Sequence, residues 1–399
     1  MHSWEKKIDI NRVFVLQPTR PLTYFGVGAL GKLEGILAEM SRQGQHSILV
    51  VTDPVAYKIC GAWDTVRPLL DQYVSWKHFD GVRANPTYAN GDAAAALGVS
   101  LGADAVLAIG GGSALDTAKT AALLLRHPGK RAVDFYEKGA PIRDAAPILA
   151  INTTHGTGSE CSSYAVAQSD GEDKIAIRSP HLYPTYAIDD PALTVSLPPR
   201  QTICTAMDAF SHAVEAATAV TASPYGVVLA KEALRLIAIW LPTAIAQPNN
   251  LAARSWLLFA SAIAGMACDP GTLHLTHALE HAMSALNADI THGEGLGILL
   301  PAALRELYPA APEILAEILA PIAPGLTGIP GEAAIASDTL RDWLGVIGQP
   351  TSMAMYFTGA DVPALTRMAL KSPYSKQLFP VAPIRVDEAV IQRVLQRSL

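Results

Sequence analysis

Two hydrophobic rhythms divide the chain. In the first part, short apolar runs recur between stretches of helical spacing: Ser47–Thr52 reads SILVVT, and residues 105–109 read AVLAI. Runs this short, apolar at nearly every position, predict strands buried on both faces. Residues 30–42 and 93–101 carry helical spacing instead. Strand and helix in alternation predict a doubly wound parallel sheet, in which ligands bind beyond the carboxyl ends of the strands. From Pro199 onward Ala and Leu dominate with helical spacing, and Pro248-Asn249-Asn250, Asp269-Pro270-Gly271 and Pro330-Gly331 break one helix from the next. The pattern predicts an α/β domain over residues 1–195 and an all-α domain over residues 196–399.

Composition narrows the class. Of 399 residues, 50% are hydrophobic and 17% charged, so large cores can form and disorder is excluded. A net charge of -6 without a basic block argues against a nucleic-acid partner. No stretch approaches the roughly 18 consecutive apolar residues of a membrane span. Residues 1–11 mix acids and bases and lack the apolar centre of a signal peptide. Cys60, Cys161, Cys204 and Cys268 are scattered, with no CxxC pair, which fits reduced thiols and a cytoplasmic protein.

The strand at 105–109 runs into Gly110-Gly111-Gly112-Ser113 and then a helix-like stretch ending at Lys119. Strand, glycine turn and helix start in that order form an anion site, because the backbone can approach a phosphate and the helix N-terminus offers free N–H groups. The same glycines would serve a tight turn with no ligand. A second strand-like run, 148–151, opens onto Asn152-Thr-Thr-His-Gly-Thr-Gly-Ser-Glu160, whose hydroxyls could donate to a pyrophosphate or remain a solvated turn. Asp53, after the strand Ser47–Thr52, suits a ribose hydroxyl and disfavours a 2′-phosphate; it is equally placed to cap a helix starting at Pro54.

Asp208 and His212 lie four apart in a predicted helix over 201–218, on one face. His277 and His281 repeat that spacing in a second predicted helix over 272–286, and His292 follows in a predicted loop before the apolar run 296–300. A carboxylate with three imidazoles suits Fe(II), Zn(II) or a similar ion, although single acids and histidines at helical positions are more often capping or packing residues.

Taken together, these segments resemble the iron-containing (group III) alcohol dehydrogenases. The resemblance spans nearly the whole chain and rests on Gly110-Gly-Gly-Ser-Ala-Leu-Asp-Thr-Ala-Lys119, Thr153-Thr-His-Gly-Thr-Gly-Ser-Glu160, Met207-Asp-Ala-Phe-Ser-His-Ala-Val-Glu215 and His277-Ala-Leu-Glu-His281 followed by His292-Gly293. It implies a nucleotide-binding first domain, a metal-binding second domain, and NAD-linked hydride transfer to or from a small alcohol or aldehyde. It also implies Fe(II), with Zn(II) as the alternative, on Asp208, His212, His277 and His292. By the same matching His281 lies near the substrate as proton relay, and Asn85, Gly110, Gly111, Gly112, Ser113, Thr153, Thr154, Thr157 and Lys174 touch the cofactor. A homodimer or larger homo-oligomer is expected.

The chain departs from the family pattern at His155, where many relatives carry Ala, and at Cys161-Ser162, where Val-Thr is usual; the stretch between His281 and His292 is one residue longer. These departures bear on the substrate pocket, and an anionic aldehyde bearing a sulfonate, phosphonate or carboxylate stays open. Two rivals are a dehydroquinate-synthase-like enzyme and a non-catalytic binding protein of the same fold.

Overall fold

The computed structural model describes residues 14–15, 21–169, 174–269 and 273–399. The N-terminal segment and the Pro270-Gly271 break discussed above lie outside the described residues. The chain divides into two compact units: residues 1–154, 158–197 and 249–258 form one, and residues 155–157, 198–248 and 259–399 the other.

The first unit is built on a sheet of β1 (Phe14–Val15), β2 (Leu22–Phe25), β3 (Ser47–Thr52), β4 (Ser75–Phe79), β5 (Ala105–Gly110), β6 (Ile148–Asn152) and β9 (Tyr186–Asp189). Among the described residues the strand order is β1-β2-β9-β6-β5-β3-β4, with every neighbouring pair parallel except β1 and β2. A separate antiparallel hairpin joins β7 (Tyr164–Gln168) to β8 (Lys174–Arg178).

The apolar runs explain the layers. Leu49, Val51, Val106, Ala108, Ile148 and Ala150 face one core, while Ile48, Val50, Leu107, Ile109, Leu149 and Ile151 face another. Alternate residues thus enter opposite cores, as a sheet covered on both sides requires. The register pairs Thr52 with Ile109 and Gly110 with Asn152, so the turns after β3, β5 and β6 open at one end of the sheet.

The second unit is helical. Three helices matter most for function: Pro199–Thr218, Leu275–Leu286 and His292–Leu307. The first begins two residues earlier than the spacing predicted, because a proline fits the first helical turn, where its missing N–H has no partner to lose. The helix Leu251–Cys268 is long and apolar enough to cross a bilayer by composition, yet 78% of it is buried within the protein.

Candidate active site

In the first unit, the glycine loop is set by contact. Gly110 has φ 153°, and the helix Gly112–Leu125 starts immediately after it, with Gly111 at the cap position. A Cβ on Gly111 would lie 2.7 Å from Cγ2 of Thr154, so only glycine lets the two loops meet. The backbone N–H of Thr153 donates to the carbonyl of Gly110 at 3.1 Å, and that of Thr154 to Oδ1 of Asn152 at 3.1 Å. Thr153 is buried rather than part of a solvated turn.

Asp53 uses Oδ1 to cap a short helix, Ala56–Ile59, accepting the N–H groups of Val55 at 2.8 Å and Ala56 at 2.6 Å. Its Oδ2 faces the glycine loop, 3.8 Å from where a Gly110 Cβ would stand. Asp53, Gly110, Gly111, Gly112, Ser113, Thr153 and Thr154 therefore share one end of the sheet. Asn85 stands at φ 55°, beside Pro86, whose carbonyl accepts from the backbone of Gln168; Gln168 in turn pairs with Lys174 across the hairpin. Thr157 goes with the second unit, next to Gly156, where a Cβ would meet the Thr205 carbonyl oxygen at 2.8 Å.

Two residues of the glycine motif act structurally. Lys119, fully buried, donates to Oγ of Ser159 and to the carbonyls of Ser162 and Tyr164, while Asp116 accepts from Ser159 Oγ and the Val166 N–H. Together they tie the loop after β6 and strand β7 to the helix that follows the glycines.

In the second unit, the helix Pro199–Thr218 presents Asp208, His212 and Glu215 on one face, and the helix Leu275–Leu286 presents His277, Glu280 and His281. His292, expected in a loop, is instead the first residue of the helix His292–Leu307. Gly293 and Gly295 imitate a loop in sequence, but packing demands them. A Cβ on Gly293 would fall 1.7 Å from the carbonyl oxygen of Cys204, and one on Gly295 would fall 2.9 Å from Cγ of Glu280.

Three imidazoles converge on one carboxylate oxygen. Nε2 of His212, His277 and His292 lie 3.4, 3.7 and 3.6 Å from Oδ1 of Asp208. Oδ1 of Asp208 and Nε2 of His277 are buried without a hydrogen-bond partner. Four donors held about 2.1 Å from a tetrahedral ion stand about 3.4 Å apart, so the spacing fits an ion and the orphaned atoms have a use. The rings of His212 and His277 stack at 4.8 Å.

Carboxylates behind the ring set aim it. Nδ1 of His277 donates to Glu215 at 2.8 Å, and Nδ1 of His292 pairs with Glu280. Each bond fixes a tautomer that leaves Nε2 as a lone-pair donor. Burial alone would raise the Glu215 carboxyl, but His274 and His277 hold it well below the usual range. Burial pulls His212 down to about 4, keeping it neutral and ready to ligate. For His277 burial also pulls down, yet Glu215 and Asp208 outweigh it and lift the ring to about 9. These acids thus favour a cation at that position, which a proton or a metal can satisfy.

The neighbouring histidines also have places. His281 lies outside the set around Asp208, with its ring 5.4 Å from that of His292 and stacked on Tyr374. His274 is fully buried, its Nε2 within 3.0 Å of Thr218 Oγ1. His155 is buried in the second unit, with Nδ1 3.1 Å from Thr205 Oγ1. Glu215, Glu280 and Tyr374 were not singled out from sequence; the spacing of Glu215, seven after Asp208 on the same helical face, carried the signal.

The sequence profile of the iron-containing alcohol dehydrogenases matches residues 21–191, and that of the Fe-containing alcohol dehydrogenase C-terminal domain matches residues 202–399. The chain belongs to the iron-containing alcohol dehydrogenase family. It is 45% identical over 398 residues to the long-chain primary alcohol dehydrogenase AdhA of Thermoanaerobacter ethanolicus, covering 99% of this chain and 100% of that one. Among solved structures it resembles the NADH-dependent butanol dehydrogenase A of Thermotoga maritima, with TM-score 0.85, 25% identity and coverage of 98% and 99%. It also resembles a sulfoacetaldehyde reductase of Bifidobacterium kashiwanohense in complex with NAD+, with TM-score 0.80, 28% identity and coverage of 96% and 97%. As a member of the family the chain is a metal-dependent alcohol and aldehyde oxidoreductase.

Proposed function

We propose that this enzyme interconverts an uncharged primary alcohol and its aldehyde with NAD(H), using Fe(II) held by Asp208, His212, His277 and His292. The convergence of three Nε2 atoms on Asp208 Oδ1, at 3.4 to 3.7 Å, carries the assignment. When bound, the ion supplies a Lewis acid for the substrate oxygen and the nicotinamide supplies the hydride acceptor.

The chain's own groups do the rest. Glu215 and Glu280 keep His277 and His292 oriented. The proton released from the alcohol passes to His281, which stands beside His292. The backbone at Gly110, Gly111 and Gly112 and the side chain of Ser113, at the start of a helix, hold the pyrophosphate, with Thr153 and Thr154 as further donors. Oδ2 of Asp53 accepts from the adenosine ribose, and Asn85 and Lys174 border the nucleotide. These assignments divide the chain into a cofactor domain over residues 1–195 and a metal domain over 196–399. Its four cysteines are free thiols, which supports a reducing, cytoplasmic setting, and we expect a homo-oligomer.

Charge favours a neutral substrate. Asp208, Glu215 and Glu280 bring three carboxylates to the centre, one more negative charge than a divalent ion offsets when the imidazoles are neutral. An anionic aldehyde would meet that excess as a like charge. Purified enzyme loaded anaerobically with Fe(II) should be assayed by nicotinamide absorbance with alcohols of increasing chain length and with sulfoacetaldehyde. Higher kcat/KM for the neutral alcohols supports the proposal; a preference for the sulfonate overturns it.

A further inference from the structure

We propose that Tyr374 is a positioning residue for this reaction, holding the imidazole of His281 at the angle from which it exchanges the substrate's proton. The inference rests on the reading of His281 given above. Tyr374 enters from the short helix Pro373–Leu378, and its buried ring lies 5.1 Å from that of His281 with only 16° between the planes. His292 approaches His281 at 5.4 Å and 43°, so the imidazole meets both a ring of the proposed metal centre and a tyrosine.

Orientation matters because proton transfer depends on which edge of the ring meets the donor. The imidazole turns about a broad, soft torsion. A ring laid flat against its face blocks that turn. The stack also leaves both nitrogens at the edge, so it orients the base without competing for the proton it carries.

A double-mutant cycle tests this on the iron-loaded enzyme. Tyr374→Leu removes the flat face and should lower kcat about tenfold, as expected for a misoriented reacting group, with metal content and the KM for NAD near wild type. Tyr374→Phe keeps the ring and should restore most of the lost kcat. In a His281→Ala background, Tyr374→Leu should change kcat by less than about twofold, because the group it positions is gone. If Tyr374→Leu is poorly folded by circular dichroism, Tyr374→Met, closer in length, carries the same comparison. Equal losses in both backgrounds would overturn the proposal, as would a Phe variant as slow as Leu. A His281→Ala single variant with wild-type kcat would instead overturn the underlying role of His281, so the two failures are told apart.

Discussion

Nδ1 of His277 donates a 2.8 Å hydrogen bond to Glu215, and the same carboxylate accepts the backbone N–H groups of His274 and Thr276. One buried side chain on the helix Pro199–Thr218 therefore orients a proposed metal ligand and caps the N-terminus of the helix that bears it. A single charge joins the proposed metal centre to the packing of two helices.

Glu215→Gln should accordingly keep the shape and lose the charge. The metal would bind about 10- to 100-fold more weakly, in line with the usual effect of removing an orienting group behind a ligand. Competition with a chelator, read by metal analysis, measures this. His212→Ala should lose metal and activity together while remaining folded. Unchanged metal affinity in Glu215→Gln would show that His277 is aimed by something else.

Gly293→Ala tests the close approach of two helices. The added methyl would fall 1.7 Å from the Cys204 carbonyl, which backbone cannot yield cheaply. The helix carrying His292 must shift, so we expect a loss of about 1–3 kcal/mol in stability and a drop in bound iron. Full metal content with an unchanged Tm would mean that the helices separate more readily than their packing implies.

These residues also show how much was legible in the chain. The strands were readable because burial on both faces leaves unbroken apolar runs such as Ser47–Thr52. Asp208, His212, His277 and His281 stood out because helical spacing puts them on common faces. His292 was misplaced to a loop, since glycine marks turns locally and close helix contact only in three dimensions. Tyr374 carried no local signal, because its partner lies on another helix far along the chain.

A second buried cluster predicts a pH effect. Glu160 and Asp189 are fully buried; both Oε atoms of Glu160 and Oδ2 of Asp189 lack hydrogen-bond partners, and Cys161 lies with them. Burial raises the Glu160 carboxyl to about 7 despite the nearby Lys119, and raises Asp189 well above its usual range. The folded state thus holds a proton that the unfolded chain releases near its ordinary value of 4.5. That contribution is fully present below 4.5 and is lost as pH rises through about 7. Urea midpoints measured from pH 5 to 8 (roughly the span over which the proton is lost) should fall, and Glu160→Gln should flatten the slope. An identical slope in the variant would place the titration elsewhere.

On the assignment proposed above, Asp53 sets the preference for NAD over NADP. Its Oδ1 is committed to the N–H groups of Val55 and Ala56, which leaves Oδ2, on the glycine-loop side, for the adenosine ribose. A 2′-phosphate there would meet a like charge: at an effective dielectric of about 20, two unit charges some 4 Å apart repel by roughly 4 kcal/mol. Solvent and salt reduce that figure, yet about 1.4 kcal/mol already gives tenfold selectivity. Two variants separate the capping role from the charge. Asp53→Asn retains an oxygen for the cap and removes the charge, so it should narrow the NAD-to-NADP ratio of kcat/KM with little change in Tm. Asp53→Ala removes both and should also lose about 1 kcal/mol of stability. If wild type uses both cofactors equally, or if Asp53→Asn leaves the ratio where it was, the carboxylate is a helix cap and nothing more.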